Sequence, residues 1–486
     1  MLKILINKIL SFLRTDVFVL AVGKLIQIVL LFLAVRLFTI YLPDAEVGNL
    51  ILMLTMTMFI GLALVNPVGS FISRELNNWI NKKVLYGKFL IFNLYVFCVS
   101  VFSFLLPYIL SYFGIGKSIP TLNFSIAVSL FVFFNTWNQT IIPALNLLFH
   151  RKAFVCFTIV SISMYLVFSL LFVLTFEPTA FWWLIGQLSG LCVGFILALH
   201  FMLKSAVCRQ QSPEFNIETS GLKRILKFSL PLAVATLMLW VLGNAYKLVI
   251  ESQFGAEALA YIGLALTLAA SLAGAVESLL MQVFHSPFYK GISEAENLEE
   301  RRAVCQRFLN GTVPISAGAI FIVVCMTPFL LKLLADDRFA IIYPFLMLGL
   351  ILEFLRVMTN IFSHAAHSEY KTHKNILPYA VGSVIASAGI LYSITQARWE
   401  YYLIASLLCG WLATVIIMVR NAKKLLNFNL PVIQTFKVIV YLSPVAPLAW
   451  HFSGSSKYLI DSLGVIAVTC LFASIVLYRQ YLRVIQ

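Results

Sequence analysis

RLFTIYLPDAEVGN, residues 36–49, places a cation near the end of one long apolar run and an acidic turn at the start of the next. The pattern returns 211 positions later as KLVIESQFGAEALA, residues 247–260, with Lys247 at the place of Arg36, Leu248 at Leu37, Ala256 at Ala45 and Glu257 at Glu46. A repeat of that length predicts two halves of similar build.

Outward from this stretch the chain is apolar almost throughout. With 486 residues, 61% hydrophobic and 11% charged, and a mean hydropathy of +0.94, it lacks the charge that a water-exposed surface requires. It reads as an all-α integral membrane protein. A bilayer core of ~30 Å needs about 20 apolar residues per helix. By that measure there are about fourteen spans: 15–41, 47–70, 88–113, 121–149, 153–176, 180–203, 228–250, 258–284, 309–334, 341–366, 375–395, 400–420, 436–452 and 458–480. The short alternating segments of a membrane β-barrel are missing, which leaves helices as the way to satisfy the backbone in lipid.

The cations set the expected orientation. With a cytoplasmic N-terminus, Lys117, Arg338, Arg398 and Lys457 are the only Lys or Arg in outside segments, and every other cation beyond the spans lies inside. That is the positive-inside bias, and it puts both termini in the cytoplasm of a multi-pass inner-membrane protein. A net charge of +15 scattered over short loops suits anionic headgroups rather than nucleic acid.

The predicted organisation is an amphipathic N-terminal helix at 1–14, an N-lobe of spans 1–6 at 15–204, a cytoplasmic inter-lobe loop at 205–227, a C-lobe of spans 7–12 at 228–422, and a C-terminal helix pair at 423–486. In the first segment Lys3, Asn7, Ser11 and Arg14 stand opposite Leu2, Ile6, Ile9 and Leu13 at helical spacing, as in a helix lying on a leaflet. The stretch 286–307 alternates charges and reads as a solvated surface helix. The outside loops are all short. No HExxH, GxGxxG, P-loop or catalytic carboxylate pair appears, and the eight cysteines form no CxxC. No enzyme, cofactor or metal site is expected.

Polar groups inside the spans are the remaining candidates, because they are costly in hydrocarbon and by default face a cavity or a partner. Lys24 and Gln27 stand one turn apart, with Arg36 further along the same span. Asn135, Asn138, Gln139 and Asn146 fall close to one helical face; such amides either bind sugar hydroxyls or tie helices together. In the second half Asn244, Lys247 and Glu251 share a face, so Glu251 is expected to neutralise Lys247 in part. Glu277 falls opposite Asn66 in the repeat. Glu353, Arg356, Asn360, Ser363 and His367 form a polar stripe in which Glu353 and Arg356 can pair locally.

The LPDAEVG turn at 42–48, its echo FGAEALAY at 254–261, and FSLP at 228–231, set in two six-span halves, resemble the polysaccharide transporter (O-antigen flippase-like) family of the multidrug, oligosaccharidyl-lipid and polysaccharide flippase superfamily. The resemblance implies two six-helix lobes in a V around a central cavity, with the C-terminal helix pair added. It implies a flippase that carries an oligosaccharide on undecaprenyl pyrophosphate across the bacterial inner membrane by alternating access, for O-antigen, capsule or exopolysaccharide synthesis. On that reading Lys24, Lys247, Arg356 and Arg36 meet the pyrophosphate. Gln27, Asn135, Asn138, Gln139, Asn146, Asn244 and Asn360 line the polar cavity, and Glu277 and Glu353 are the sites available for ion coupling. The expected partners are the lipid-linked oligosaccharide, membrane lipids and other polysaccharide assembly proteins. A cation-coupled drug or metabolite antiporter and a membrane-embedded glycosyltransferase or ligase are the alternatives. The first suffers from the lack of a carboxylate within the spans of the N-lobe, the second from the lack of an external domain.

Overall fold

The computed structural model describes residues 16–81, 83–148, 150–204, 219–369, 371–452 and 459–485. The amphipathic segment at 1–14 and most of the loop at 205–227 lie outside the described residues. All regular structure among the described residues is helical.

Twelve stretches of the described residues are long and apolar enough to cross a membrane. One of them, Arg224–Glu294, contains both predicted spans 228–250 and 258–284. The predicted span at 121–149 is not among the twelve, because its amide side chains lower the hydropathy. All fourteen predicted spans nevertheless fall on helices.

The chain forms two compact units, Met1–Leu237 with Ile250–Ala260, and Met238–Val249 with Tyr261–Gln486. In the first unit the helices are α1 (Asp16–Tyr41), α2 (Asp44–Ile60), a π turn (Gly61–Val65), α3 (Asn66–Asn81), α4 (Leu85–Tyr112), α5 (Thr121–Leu147), α6 (Arg151–Thr175) and α7 (Ala180–Lys204). Helix α8 (Thr219–Glu294) belongs partly to each unit and breaks at Gly255, whose φ of +87° suits a residue without a Cβ. The break falls between the two spans that the repeat pattern separates.

Local chemistry explains these boundaries. Pro43 precedes α2, whose first turn carries Asp44 and Glu46, anions placed against the positive end of the helix dipole. Glu46 serves a second helix as well: its Oε2 accepts the Ala180 N–H that opens α7, at 2.6 Å, and its Oε1 accepts from Asn49 at 2.9 Å. Asn49 Oδ1 in turn accepts from Ser118 at 2.7 Å. Helices α6 and α7 pair through Gly186, Gly190 and Gly194, a stripe at every fourth residue that lies against the backbone or side chains of Ser169, Tyr165 and Ser161. Close approach through small residues is how helices gain contact where lipid removes the hydrophobic drive. Ser100 and Ser129 exchange hydroxyl-to-carbonyl bonds of 2.7 and 2.8 Å between α4 and α5. Trp137 packs against Phe89, Phe92 and Phe195.

The second unit continues with α9 (Leu298–Cys325), α10 (Thr327–Leu334), a 3₁₀ turn (Asp337–Ile342), α11 (Tyr343–Ser368), a 3₁₀ turn (Thr372–Asn375), α12 (Ile376–Ser393), α13 (Trp399–Leu426), α14 (Val432–Leu442), α15 (Val445–Phe452) and α16 (Leu459–Ile485). Three sequence readings change here. The charged stretch 286–307 is no separate surface helix: α8 runs to Glu294, and Asn297 caps α9 by accepting the Glu300 N–H at 2.9 Å. The predicted span 309–334 divides at Met326, ahead of Pro328, and 436–452 divides between Leu442 and Val445, around Pro444, since proline cannot supply an amide to the preceding turn. The C-terminal helices α14–α16 pack on α9 and α10 through Ile322, Met326, Phe329, Val438, Leu442, Val445, Ala449 and Ala473. The many exposed apolar side chains, Phe97, Leu174 and Leu391 among them, are those a bilayer would cover.

Candidate functional site

The first unit contains a cavity of about 630 Å³, lined by Asn66 and Ser70 of α3, by Asn135, Thr136, Gln139 and Thr140 of α5, by Leu232 and Thr236 of α8, and by the π turn. Among the described residues no charged side chain lines it. Its form follows from Asn66-Pro67. Pro67 has no N–H to continue the α-helical ladder, and the chain takes a π turn at Gly61–Val65. Hydroxyls from elsewhere attend to the backbone around it: Thr236 Oγ1 donates to Leu62 O at 2.7 Å, Tyr95 Oη to Leu64 O at 2.8 Å, and Ser229 Oγ to Pro67 O at 3.2 Å. π turns recur at functional sites because they turn side chains out of register.

The amide stripe of α5 divides by role. Gln139 Nε2 donates to Asn135 Oδ1 at 3.2 Å, and both side chains line the cavity. Asn138 does not line it: its Nδ2 donates to Ser161 Oγ at 2.8 Å and to Leu191 O at 3.1 Å, joining α5 to α6 and α7. Asn146, half-buried, is not among the lining residues. On α1, Lys24 Nζ lies 3.4 Å from Gln27 Oε1, both residues half-buried, and no carboxylate among the described residues pairs with Lys24. Arg36 is half-buried near the end of the same helix.

The second unit holds a cluster of opposite charges. Lys247 is buried and donates to Asn244 Oδ1 at 3.0 Å; the carboxylate whose field reaches it is Glu353. Arg356 ties two carboxylates together, its Nε on Glu353 Oε2 and its Nη1 on Glu277 Oε2 at 3.0 Å. Asn360 Nδ2 donates to Glu277 Oε1 at 2.8 Å. Two cations thus face two anions, and the guanidinium in particular is already compensated. The expected partnership of Lys247 with Glu251 does not form. Glu251 is buried in the first unit, where its Oε2 accepts the Gly116 N–H at 2.9 Å, so the carboxylate is satisfied without the lysine.

Further along α11 the polar stripe continues into His364, whose Nδ1 lies 3.1 Å from Tyr289 Oη. The rings of His285 and His367 lie 5.3 and 5.9 Å from that of His364. Among the described residues no group of His, Cys, Asp and Glu is arranged to hold a metal ion.

Residues 83–341, more than half of the chain, match the family model described as polysaccharide biosynthesis protein. The chain belongs to that family. This member of the polysaccharide biosynthesis protein family also shares a fold with solved transporters. It is similar to the lipid II flippase MurJ in an inward closed conformation, at 12% identity and a TM-score of 0.64, covering 96% of this chain and all of that one. A multidrug resistance MATE family transporter of the MOP superfamily, in an inward-facing conformation, matches at 12% identity and a TM-score of 0.61 over 85% of this chain and 98% of that one. A MATE protein in complex with MaL6 matches at 14% and 0.57, over 85% and 96%. No curated protein matches the sequence. The family member described here is therefore a multi-span helical membrane protein with the fold of flippases and transporters.

Sequence reasoning missed Ser70, Tyr95, Ser229, Thr236 and His364. Asn66-Pro67, an amide followed by proline late in an apolar run, is the signal that locates the first four.

Proposed function

We propose that this protein is a flippase that moves an undecaprenyl-pyrophosphate-linked oligosaccharide across the bacterial inner membrane by alternating access, supplying surface polysaccharide synthesis such as O-antigen, capsule or exopolysaccharide. The observation that carries the reading is the cavity of the first unit, where amides and hydroxyls stand among apolar side chains and no charged side chain lines the wall among the described residues. Sugars present many neutral hydroxyls, and a site that offers neutral donors and acceptors matches them without desolvating an ion. Family membership and the likeness in fold to a lipid flippase support transport rather than catalysis.

In this reading Asn135 and Gln139 contact sugar, while Gln27, Asn244, Asn146 and Asn360 shape the polar surroundings and Asn138 holds α5 in place. A pyrophosphate entering a low-dielectric region needs cations. Lys24, which pairs with no carboxylate among the described residues, and Lys247, whose nearest bonded group is a neutral amide, are the side chains that supply them. Arg36 adds a cation toward the end of α1. Arg356 contributes only when Glu277 or Glu353 is neutralised, so an ion or proton taken up by those carboxylates would free its charge for the substrate. That exchange is the proposed point of coupling. The protein works in the inner membrane with both termini cytoplasmic, beside other polysaccharide assembly proteins.

The test is transfer of a fluorescent undecaprenyl-pyrophosphate oligosaccharide across liposomes that contain the purified protein. The wild type moves the lipid; Lys24→Ala combined with Lys247→Ala loses most of the rate. Unchanged movement in the double variant overturns the roles of the two lysines. If the wild type moves no lipid-linked sugar but exchanges a cationic drug for protons or sodium, the flippase reading falls to the antiporter.

A further inference from the structure

The C-terminal helices leave a second cavity, of about 510 Å³, which the proposed transport path does not use. Two helix faces meet there. Ala303, Gln306, Arg307 and Asn310 come from the first turns of α9, and Gln434, Lys437, Val438 and Tyr441 come from α14; each set is spaced as one side of a helix. Gln480, near the end of α16, completes the wall. The starts of α9 and α14 and the end of α16 therefore lie on one side of the second unit. That sidedness is what an alternating fourteen-span chain requires of those three ends, and by the distribution of cations it is the cytoplasmic side.

The chemistry of this cavity is one-sided. Arg307 and Lys437 bring two positive charges to it, and among the described residues no Asp or Glu lines it and neither cation has an ion pair. The neighbouring Arg301, by contrast, is matched by Glu369 at 3.3 Å. Amides fill the rest of the wall. Gln306 is held by the Asn429 backbone at 2.7 and 2.9 Å and gives a bond of 2.8 Å to Asn310 Oδ1. Gln480, only 7% exposed, reaches the Asn310 carbonyl at 3.4 Å. Unpaired like charges in a walled cavity beside neutral donors form a receptor for an anion. The outer flank supplies a second element. Val432, Ile433, Phe436 and Val440 of α14 are exposed, Phe436 by 67%, and form an apolar lane that begins where the cations sit.

We propose that this cavity binds the phosphate headgroup of an anionic phospholipid of the inner leaflet, with Arg307 and Lys437 on the phosphate, Gln434, Tyr441 and Gln480 on the headgroup hydroxyls, and the acyl chains along the exposed face of α14. The site ties the C-terminal helices to membrane composition and does not depend on which substrate the protein carries.

The experiment uses the full-length protein, delipidated in a neutral detergent, and follows its thermal unfolding as lipid is added. Dioleoyl phosphatidylglycerol raises the midpoint of the wild type saturably, and dioleoyl phosphatidylcholine does so far less. Arg307→Gln with Lys437→Gln weakens the apparent affinity for phosphatidylglycerol on the order of tenfold or more, as expected when two interfacial cations are lost. Lys371→Gln with Lys423→Gln, cations outside the cavity, leaves it unchanged. Both pairs are exposed surface changes, so folding is preserved. An equal response of the two variants to phosphatidylglycerol overturns the site. Inorganic phosphate or glycerol 3-phosphate reproducing the full shift at the same concentration overturns the lipid as its occupant.

Discussion

Gly48 lies against the carbonyl of Ala256, with no space between them for a Cβ. The two residues come from the two copies of the stretch that repeats across the chain, so the copies recognised by their similarity also touch within the first unit, with which the segment Ile250–Ala260 clusters. Gly48→Val should displace that segment and cost about 1–3 kcal/mol, the usual range for overpacking. Thermal unfolding in detergent, together with faster maleimide labelling of a cysteine placed at exposed Gln253, checks this. An unchanged midpoint and labelling rate would show that the contact is slack.

Arg356 bridges Glu277 and Glu353, and removing it leaves two carboxylates facing each other in a poorly solvated place. Arg356→Ala should lose about 3–5 kcal/mol of stability, the range for breaking a buried pair from one side. Adding Glu277→Gln and Glu353→Gln should restore most of it, because uncharged partners need no guanidinium. A triple variant no more stable than Arg356→Ala would mean that the arginine acts through packing.

The amides of α5 should separate by assay. Asn138→Leu removes two interhelical bonds and should cost about 1 kcal/mol, near the usual worth of such bonds in membranes. Asn135→Leu and Gln139→Leu should hold the unfolding midpoint near the wild-type value and slow transport of the lipid-linked oligosaccharide. Equal losses of stability in all three would remove the distinction between wall and brace.

Single cysteines in a cysteine-free background test the orientation. A cysteine at Arg398 should react with a membrane-impermeant maleimide on intact spheroplasts, and one at Lys371 only after permeabilisation. The reverse order would invert the topology.

Much of this arrangement was legible in the sequence because its causes are local. Apolar length marked the spans, and the echo of residues 36–49 located the break that Gly255 makes in α8. The i, i+3 spacing of Glu353 and Arg356 gave their pairing, but Glu277 joins them from α8 and no spacing announces a partner 79 residues away. Spacing also favoured Glu251 as the partner of Lys247, yet the free amide of Gly116 captures that carboxylate. The stripe on α5 was visible, whereas its division between cavity and brace depends on where Ser161 and the Leu191 carbonyl lie. A π turn leaves no periodic trace, and Pro67 was its only sign.

That turn keeps its Leu62 carbonyl bound to a hydroxyl, the group on Thr236. Carbohydrates carry the same group in quantity, and a carbonyl accepts from either without any change of charge. The turn that gives the cavity Gly61 and Val65 is thus held by a neutral contact of the kind a sugar makes, and no charge has to be desolvated to make or break it.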